Sequence, residues 1–201
     1  MRIRLLLVAA TLWLAPLYVL AADAPPPAPA KVILIRNGPN QLTLGGKELL
    51  AVRGWRENFN AHGFDAVSLY IHAPEGTWHV VPVMVPNGKE SPTERPVIGA
   101  SGGADCQLKD FRLIDAANGK PAQLVIGERD FGESFADPAP VHFDYYELTE
   151  NTAGDVGDPL YWFRHIRRVD AARPYCDVNE AFDKDLHLGP SSGARSADDE
   201  R

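Results

Sequence analysis

Ala66-Val67-Ser68-Leu69-Tyr70-Ile71-His72 decides the fold class. Val67, Leu69 and Ile71 alternate with Ser68, Tyr70 and His72, a period of two that lays one face of an extended strand on a core. Val141, Phe143 and Tyr145 repeat the pattern. Working outward, short β-branched and aromatic runs bounded by Gly, Pro, Asn or Asp recur at Val32–Arg36, Gln41–Leu44, Glu48–Arg56, Thr77–Met84, Gln107–Ile114, Ala122–Glu128, Pro140–Leu148 and Tyr161–Val169. Turn chemistry at Asn37-Gly38-Pro39-Asn40, Pro86-Asn87-Gly88, Ala117-Asn118-Gly119 and Ala136-Asp137-Pro138 supports those cuts. With 17 Gly and 17 Pro in 201 residues, a helical bundle is disfavoured. No strand–helix–strand alternation argues for a parallel doubly wound sheet. One helix is predicted, where Asp177-Val178-Asn179-Glu180 has capping-box form before Ala181 to Leu186. The expectation is an all-β fold: an antiparallel β-sandwich with one short C-terminal helix.

The ends read differently. Arg2 and Arg4 precede an apolar stretch from Leu5 to Leu20, and small residues follow around Ala21 and Ala22, the pattern of a secretory signal. The apolar run is shorter than the ~20 residues a bilayer span needs. The organisation expected is a signal peptide over 1–21, a Pro-rich tether over 22–31, a single β domain over 32–188 and a disordered tail over 189–201. Periplasmic localisation follows, with no membrane association after cleavage. Loss of Arg2 and Arg4 leaves 18 basic against 27 acidic residues, so nucleic acid is excluded as a partner. In an oxidising compartment the two cysteines, Cys106 and Cys176, are expected to pair.

Several clusters carry chemistry-bearing side chains. Gly99-Ala100-Ser101-Gly102-Gly103 matches the GxSxG nucleophile elbow, but Ala104 to Ile114 reads as strand where that motif needs a helix. His142 and Asp144 share a strand face, and two ligands do not make a metal site. Trp55 to Asp65 (WRENFNAHGFD) is the densest polar run, with Arg56, Glu57, Asn60, His62 and Asp65 between two strands. Gly127 to Ser134 (GERDFGES) is a second, with Arg129 and Asp130 among its charges. Both follow apolar strands, and strand-end loops of a sandwich converge at one end, so these seven residues form the candidate ligand-binding surface. The competing interpretation is structural: Asn and Asp bonded to backbone, with Arg56 and Arg129 paired to neighbouring carboxylates. A third possibility is an acid–base pair drawn from Asp130 and Glu133.

Together WRENFNAHGFD (Trp55–Asp65), SGGADC (Ser101–Cys106), DFRL (Asp110–Leu113), GERDFGESFAD (Gly127–Asp137), PLYWF (Pro159–Phe163) and YCDVNEAF (Tyr175–Phe182) resemble the CarG-type carbapenem self-resistance family. The resemblance spans about residues 35 to 182. It implies an exported bacterial protein that protects by binding without hydrolysis, whose partner is a small molecule of the β-lactam class or a periplasmic protein. The alternative is an inhibitor or partner of a periplasmic cell-wall enzyme. It carries over no residue roles. No SxxK follows any serine, and neither CxxC nor HExxH occurs, so no β-lactamase or metallohydrolase activity is expected. No cofactor and no metal are expected: where relatives are expected to have an acidic turn, this chain has Leu44-Gly45-Gly46-Lys47, which lacks oxygen ligands for a hard cation.

Overall fold

The structure is a computed structural model that describes residues 31–189, apart from 90, 116–119 and 133, together with Ser192. The signal segment, almost all of the tether, Glu133 and most of the tail lie outside the described residues. The chain forms β1 (Lys31–Ile33), β2 (Gly38–Leu44), β3 (Lys47–Arg56), β4 (Phe64–His72), β5 (Trp78–Val80), β6 (Val83–Val85) and β7 (Thr93–Arg95). Then follow β8 (Ile98–Gly102), β9 (Gln107–Asp115), β10 (Gln123–Arg129), β11 (Val141–Glu150), β12 (Tyr161–Asp170) and α1 (Val178–Leu186). The all-β expectation with one short helix is met.

The two separate sheets of a sandwich are not what the hydrogen bonds draw. They join all strands into one mixed, unclosed sheet in the order β2-β3-β4-β8-β9-β10-β11-β12-β6-β7, with β1 on β9 and β5 on β4. Pro82 marks the reason. Val81 still donates to Leu69 O on β4 at 2.8 Å, whereas Pro82 O accepts from Phe163 N on β12 at 2.8 Å. The predicted run Thr77–Met84 is therefore two strands: β5 pairs β4, and β6, a few residues on, pairs β12 in parallel. This crossing draws distant members of the strand order together, so the sheet curls around a core. Lys47 at the start of β3 accordingly reaches Glu150 on β11 at 2.8 Å. Between them, Gly45 and Gly46 take φ of +58° and +76°, which permits the tight β2–β3 turn.

The core follows from the period-two faces. Leu49 and Ala51 of β3, Val67, Leu69 and Ile71 of β4, and Phe163 of β12 are buried in one cluster. The middle strands are buried on both faces. Phe111, Leu113 and Leu124 join that inner cluster, while Ile114 and Val125 join an outer one with Phe143, Val178, Ala181 and Phe182. So α1 packs on the outer face of β9–β11. Gly127 makes this approach possible, because a Cβ there would fall 2.6 Å from the Phe182 ring. Asp177 caps the helix, accepting from Asn179 N at 2.7 Å. The second arm of the capping box is not formed, since Glu180 turns to Lys184 and Arg173.

Cys106, just before β9, and Cys176, just before α1, form the expected bridge with Cα atoms 5.6 Å apart. Ser192, assigned by composition to the tail, is buried: its O accepts from Ile35 N at 3.0 Å and its N donates to Asp110 Oδ2 at 3.3 Å. Among the described residues, no helix is long and apolar enough to cross a membrane.

Candidate ligand-contact surface

The loops leaving β3 and β10 meet, as the two polar runs predict. The His62 ring lies 5.2 Å from that of Phe135. The Cys106–Cys176 bridge ties the segments before β9 and α1 into the same end of the sheet. Four of the segments that carry the family resemblance thus meet here, while Tyr161 of PLYWF lies at the other end beside Lys47 and Glu150.

Within the first loop, most polar groups are engaged locally. The Glu57 carboxylate accepts from Trp55 Nε1 at 3.1 Å and from Phe59 N, and these bonds, Trp55 first, hold its carboxyl below the ordinary range. Asn60 Oδ1 accepts from His62 N at 2.8 Å, an Asx turn. Phe59 takes φ +56° at the apex, and its ring is 95% exposed. Arg56 is exposed, with its guanidinium 5.7 Å from the Phe64 ring centroid.

Asp65 and Arg129 lie elsewhere. Asp65 is in phase with Val67, Leu69 and Ile71, so it points inward, where its Oδ2 accepts from Arg53 Nη2 at 2.7 Å. Arg129 is 4% exposed and donates to the carbonyls of Ser134 at 3.1 Å, Phe135 at 3.2 Å and Cys176 at 3.5 Å, and also to Asp137 O. It holds the second loop from beneath. Asp130 stays near the surface, accepting from His142 Nε2 at 3.1 Å.

Beside exposed polar side chains such as Arg56, Glu57, Asn60, His62 and Asp130, the loops present aromatic rings to solvent: Phe59, Phe131 at 70% exposure, and the partly exposed Trp55 and Phe135. Phe131 and Phe135 meet edge to face at 4.9 Å. Arg56, the next residue of β3, is exposed on the opposite face of that strand, over Phe64. Neighbouring exposed rings of this kind mark an interaction surface. A larger groove of about 570 Å³ opens at the other end of the sheet, but its Lys47 is held by Glu150 at 2.8 Å and Tyr161 at 3.2 Å.

His142 and Asp144 do not pair with one another. His142 Nδ1 meets Asp170 at 2.7 Å and its Nε2 meets Asp130, whereas Asp144 is held by Arg168 and His165. The Asp170 hydrogen bond, opposed by burial and aided by Asp130, raises the His142 pKa above its ordinary 6.5. A raised folded-state value adds stability below the unfolded value, which is lost as pH rises through the folded one. The wild-type urea midpoint is expected to fall between about pH 6 and about pH 8 by more than that of His142→Gln. Equal falls would show that this histidine does not carry the effect.

Ser101 of the GxSxG string sits inside an antiparallel ladder, opposite Phe64 of β4 and Lys109 of β9. A turn into another strand follows it, where a nucleophile elbow would lead into a helix.

No family profile matches the chain, and no curated protein matches it. Among solved structures, the crystal structure of CarG superposes with a TM-score of 0.62 at 24% sequence identity, covering 79% of this chain and 98% of that one. The chain has the CarG fold. Because nearly all of CarG is covered, the likeness extends over that whole chain and is not confined to a shared hairpin or sheet edge. At this identity the likeness to CarG is one of architecture.

The seven residues chosen from sequence thus divide in space. Arg56, Glu57, Asn60, His62 and Asp130 stand at the loop end, while Asp65 and Arg129 support it from inside. The exposed Phe59 and Phe131 lie inside the two runs but are not among the seven residues, although their immediate neighbours are polar or small. That isolation from any apolar period was the available signal.

Proposed function

We propose that this is an exported, non-hydrolytic protective protein of the carbapenem self-resistance kind, acting by binding through the end of the fold formed by the 55–64 and 130–137 loops. One observation carries the proposal: four of the segments that resemble the CarG-type family, those containing His62, Cys106, Phe135 and Cys176, meet at one end of a chain with the CarG fold. There Arg56 offers a planar fork for a ligand carboxylate, and the exposed rings offer apolar contact. A β-lactam ring system needs both. The exposure of Phe59 and Phe131 also favours a second occupant, a periplasmic cell-wall enzyme masked or inhibited by the protein.

The test is survival of a carbapenem-exposed host with the full chain, Arg56→Lys, Phe131→Ser, or neither. Drug remaining in the medium is measured alongside. Protection by the full chain with intact drug, and at least tenfold poorer survival for both variants at unchanged melting temperature, supports binding through this surface. Consumption of the drug sinks the non-hydrolytic reading. Survival that never depended on the protein sinks the protective one. Capture of a transpeptidase or hydrolase from periplasmic extract, without drug binding, transfers the proposal to the second occupant.

A further inference from the structure

A small cavity of about 180 Å³ lies between the β6–β8 segment and the strands β9–β12. Its polar lining comes from Arg95, Lys109, Glu128, Asp144, Tyr146 and Arg168, and its apolar wall from valine and isoleucine side chains of β6, β8 and β10. Four of the charges are matched. Lys109 meets Glu128 at 2.8 Å, and Arg168 grips Asp144 through two bonds of 3.0 and 2.7 Å. Burial works against ionisation of Asp144, and the bonds from Arg168 and His165 outweigh it, so that carboxyl lies below its ordinary range.

Two groups are left over. Arg95, on the three-residue edge strand β7, is exposed and forms no ion pair among the described residues. Tyr146 is only 2% exposed, yet its hydroxyl has no hydrogen-bond partner among the described residues. The hydroxyl is not sealed from solvent, so a ligand in the cavity that Tyr146 lines can reach it. Burial, then the nearby Asp144 charge, raises its pKa, so the hydroxyl stays protonated and able to donate. Among the described residues, the cavity thus holds an unpaired donor, an unpaired guanidinium and an apolar wall.

We propose that this cavity is a binding site for a small monocarboxylate, received by the Tyr146 hydroxyl and the Arg95 guanidinium, with its hydrocarbon end against the valine and isoleucine wall. The charges set the class. Three cations against two carboxylates leave one positive charge, which a monoanion neutralises and a dianion would exceed. A planar carboxylate matches the guanidinium fork. The size sets the limit: drug-sized ligands fill clefts of ~300 to 1,000 Å³, and this space has room for only about six waters' volume. The site is separate from the loop surface proposed above and does not depend on protection against a carbapenem.

The test titrates the full chain, carrying ¹³Cζ-tyrosine, with sodium acetate, propionate and benzoate, at ionic strength fixed by sodium chloride, and in parallel with sodium phosphate. The Tyr146 resonance is expected to shift saturably with at least one carboxylate, which also raises the melting temperature. Isothermal titration should give affinities about tenfold weaker for Tyr146→Phe and for Arg95→Gln, and unchanged for Arg164→Gln on the exposed part of β12. Tyr146→Phe conserves shape and should fold, which its melting temperature checks. Binding of phosphate in preference to every carboxylate, equal affinity in Tyr146→Phe, or no saturable response to any carboxylate would each overturn the assignment.

Discussion

Arg112→Ala is expected to lower unfolding free energy by about 3–5 kcal/mol, the cost of breaking a buried ion pair by removing one partner. Arg112 is fully buried on the outer face of β9. Its Nη1 donates to Asp110 Oδ2 at 3.0 Å and Phe111 O at 2.8 Å, and its Nη2 to Asn179 Oδ1 at 2.8 Å and Gly189 O at 2.9 Å. The guanidinium also lies 4.1 Å from the Phe182 ring centroid. One side chain therefore joins β9, α1 and the segment after the helix. Burial pulls the Arg112 pKa down and Asp110 opposes that shift, so the pair exists because both charges are present. Without the cation, the Asp110 carboxylate stays buried with the amide donors of Phe111 and Ser192 as its partners among the described residues. Urea denaturation measures the loss, seen in a thermal scan as about 10 °C for a domain of this size. Arg112→Met combined with Asp110→Asn should recover much of it, since a neutral pair of similar shape avoids the stranded charge. A loss below about 1 kcal/mol in the single variant would mean that water reaches the site.

The strands were legible where one face is buried, and the topology was not. Ala66–His72 shows its inward residues in the letters alone, and the structure buries Val67, Leu69 and Ile71 as that pattern requires. β7 and β8 escaped because Thr93-Glu94-Arg95 is wholly exposed and Ile98–Gly102 is rich in small residues, so neither carries an alternating apolar signal. The single curled sheet escaped because it depends on a strand changing partner at Pro82, a tertiary event without a local period. The candidate site was half legible. Convergence of the two polar loops follows from their place after strands, and the inward aim of Asp65 was present in the phase of β4. Arg129 was harder to place. It is in phase with Val125 and Gly127, but those residues face α1, and nothing near Arg129 in the sequence announces a helix packed on the outer face.

Removing the Cys106–Cys176 bridge by the double change to Ala is expected to cost about 4 kcal/mol, the chain-entropy value for a closed loop of this length. The cysteines are 70 residues apart in sequence, and the loop they close contains β9 to β12. The native contacts around the bridge do not depend on it. Ala139 and Tyr175 exchange two backbone bonds of 3.1 Å, and Gln107 N donates to Asp177 Oδ2 at 3.3 Å. Those contacts keep α1 against β9 and β10 after the sulfurs are gone, so most of the loss arises from the unfolded chain, which gains freedom once the link is cut. Two readouts distinguish this from local damage. The urea midpoint should fall while the m-value rises, because an unlinked denatured chain exposes more surface. Far-ultraviolet circular dichroism of the folded variant should stay unchanged. An unchanged m-value together with a loss under about 1 kcal/mol would show that the bridge only decorates a loop already held by Arg129, whose guanidinium reaches the Cys176 carbonyl at 3.5 Å.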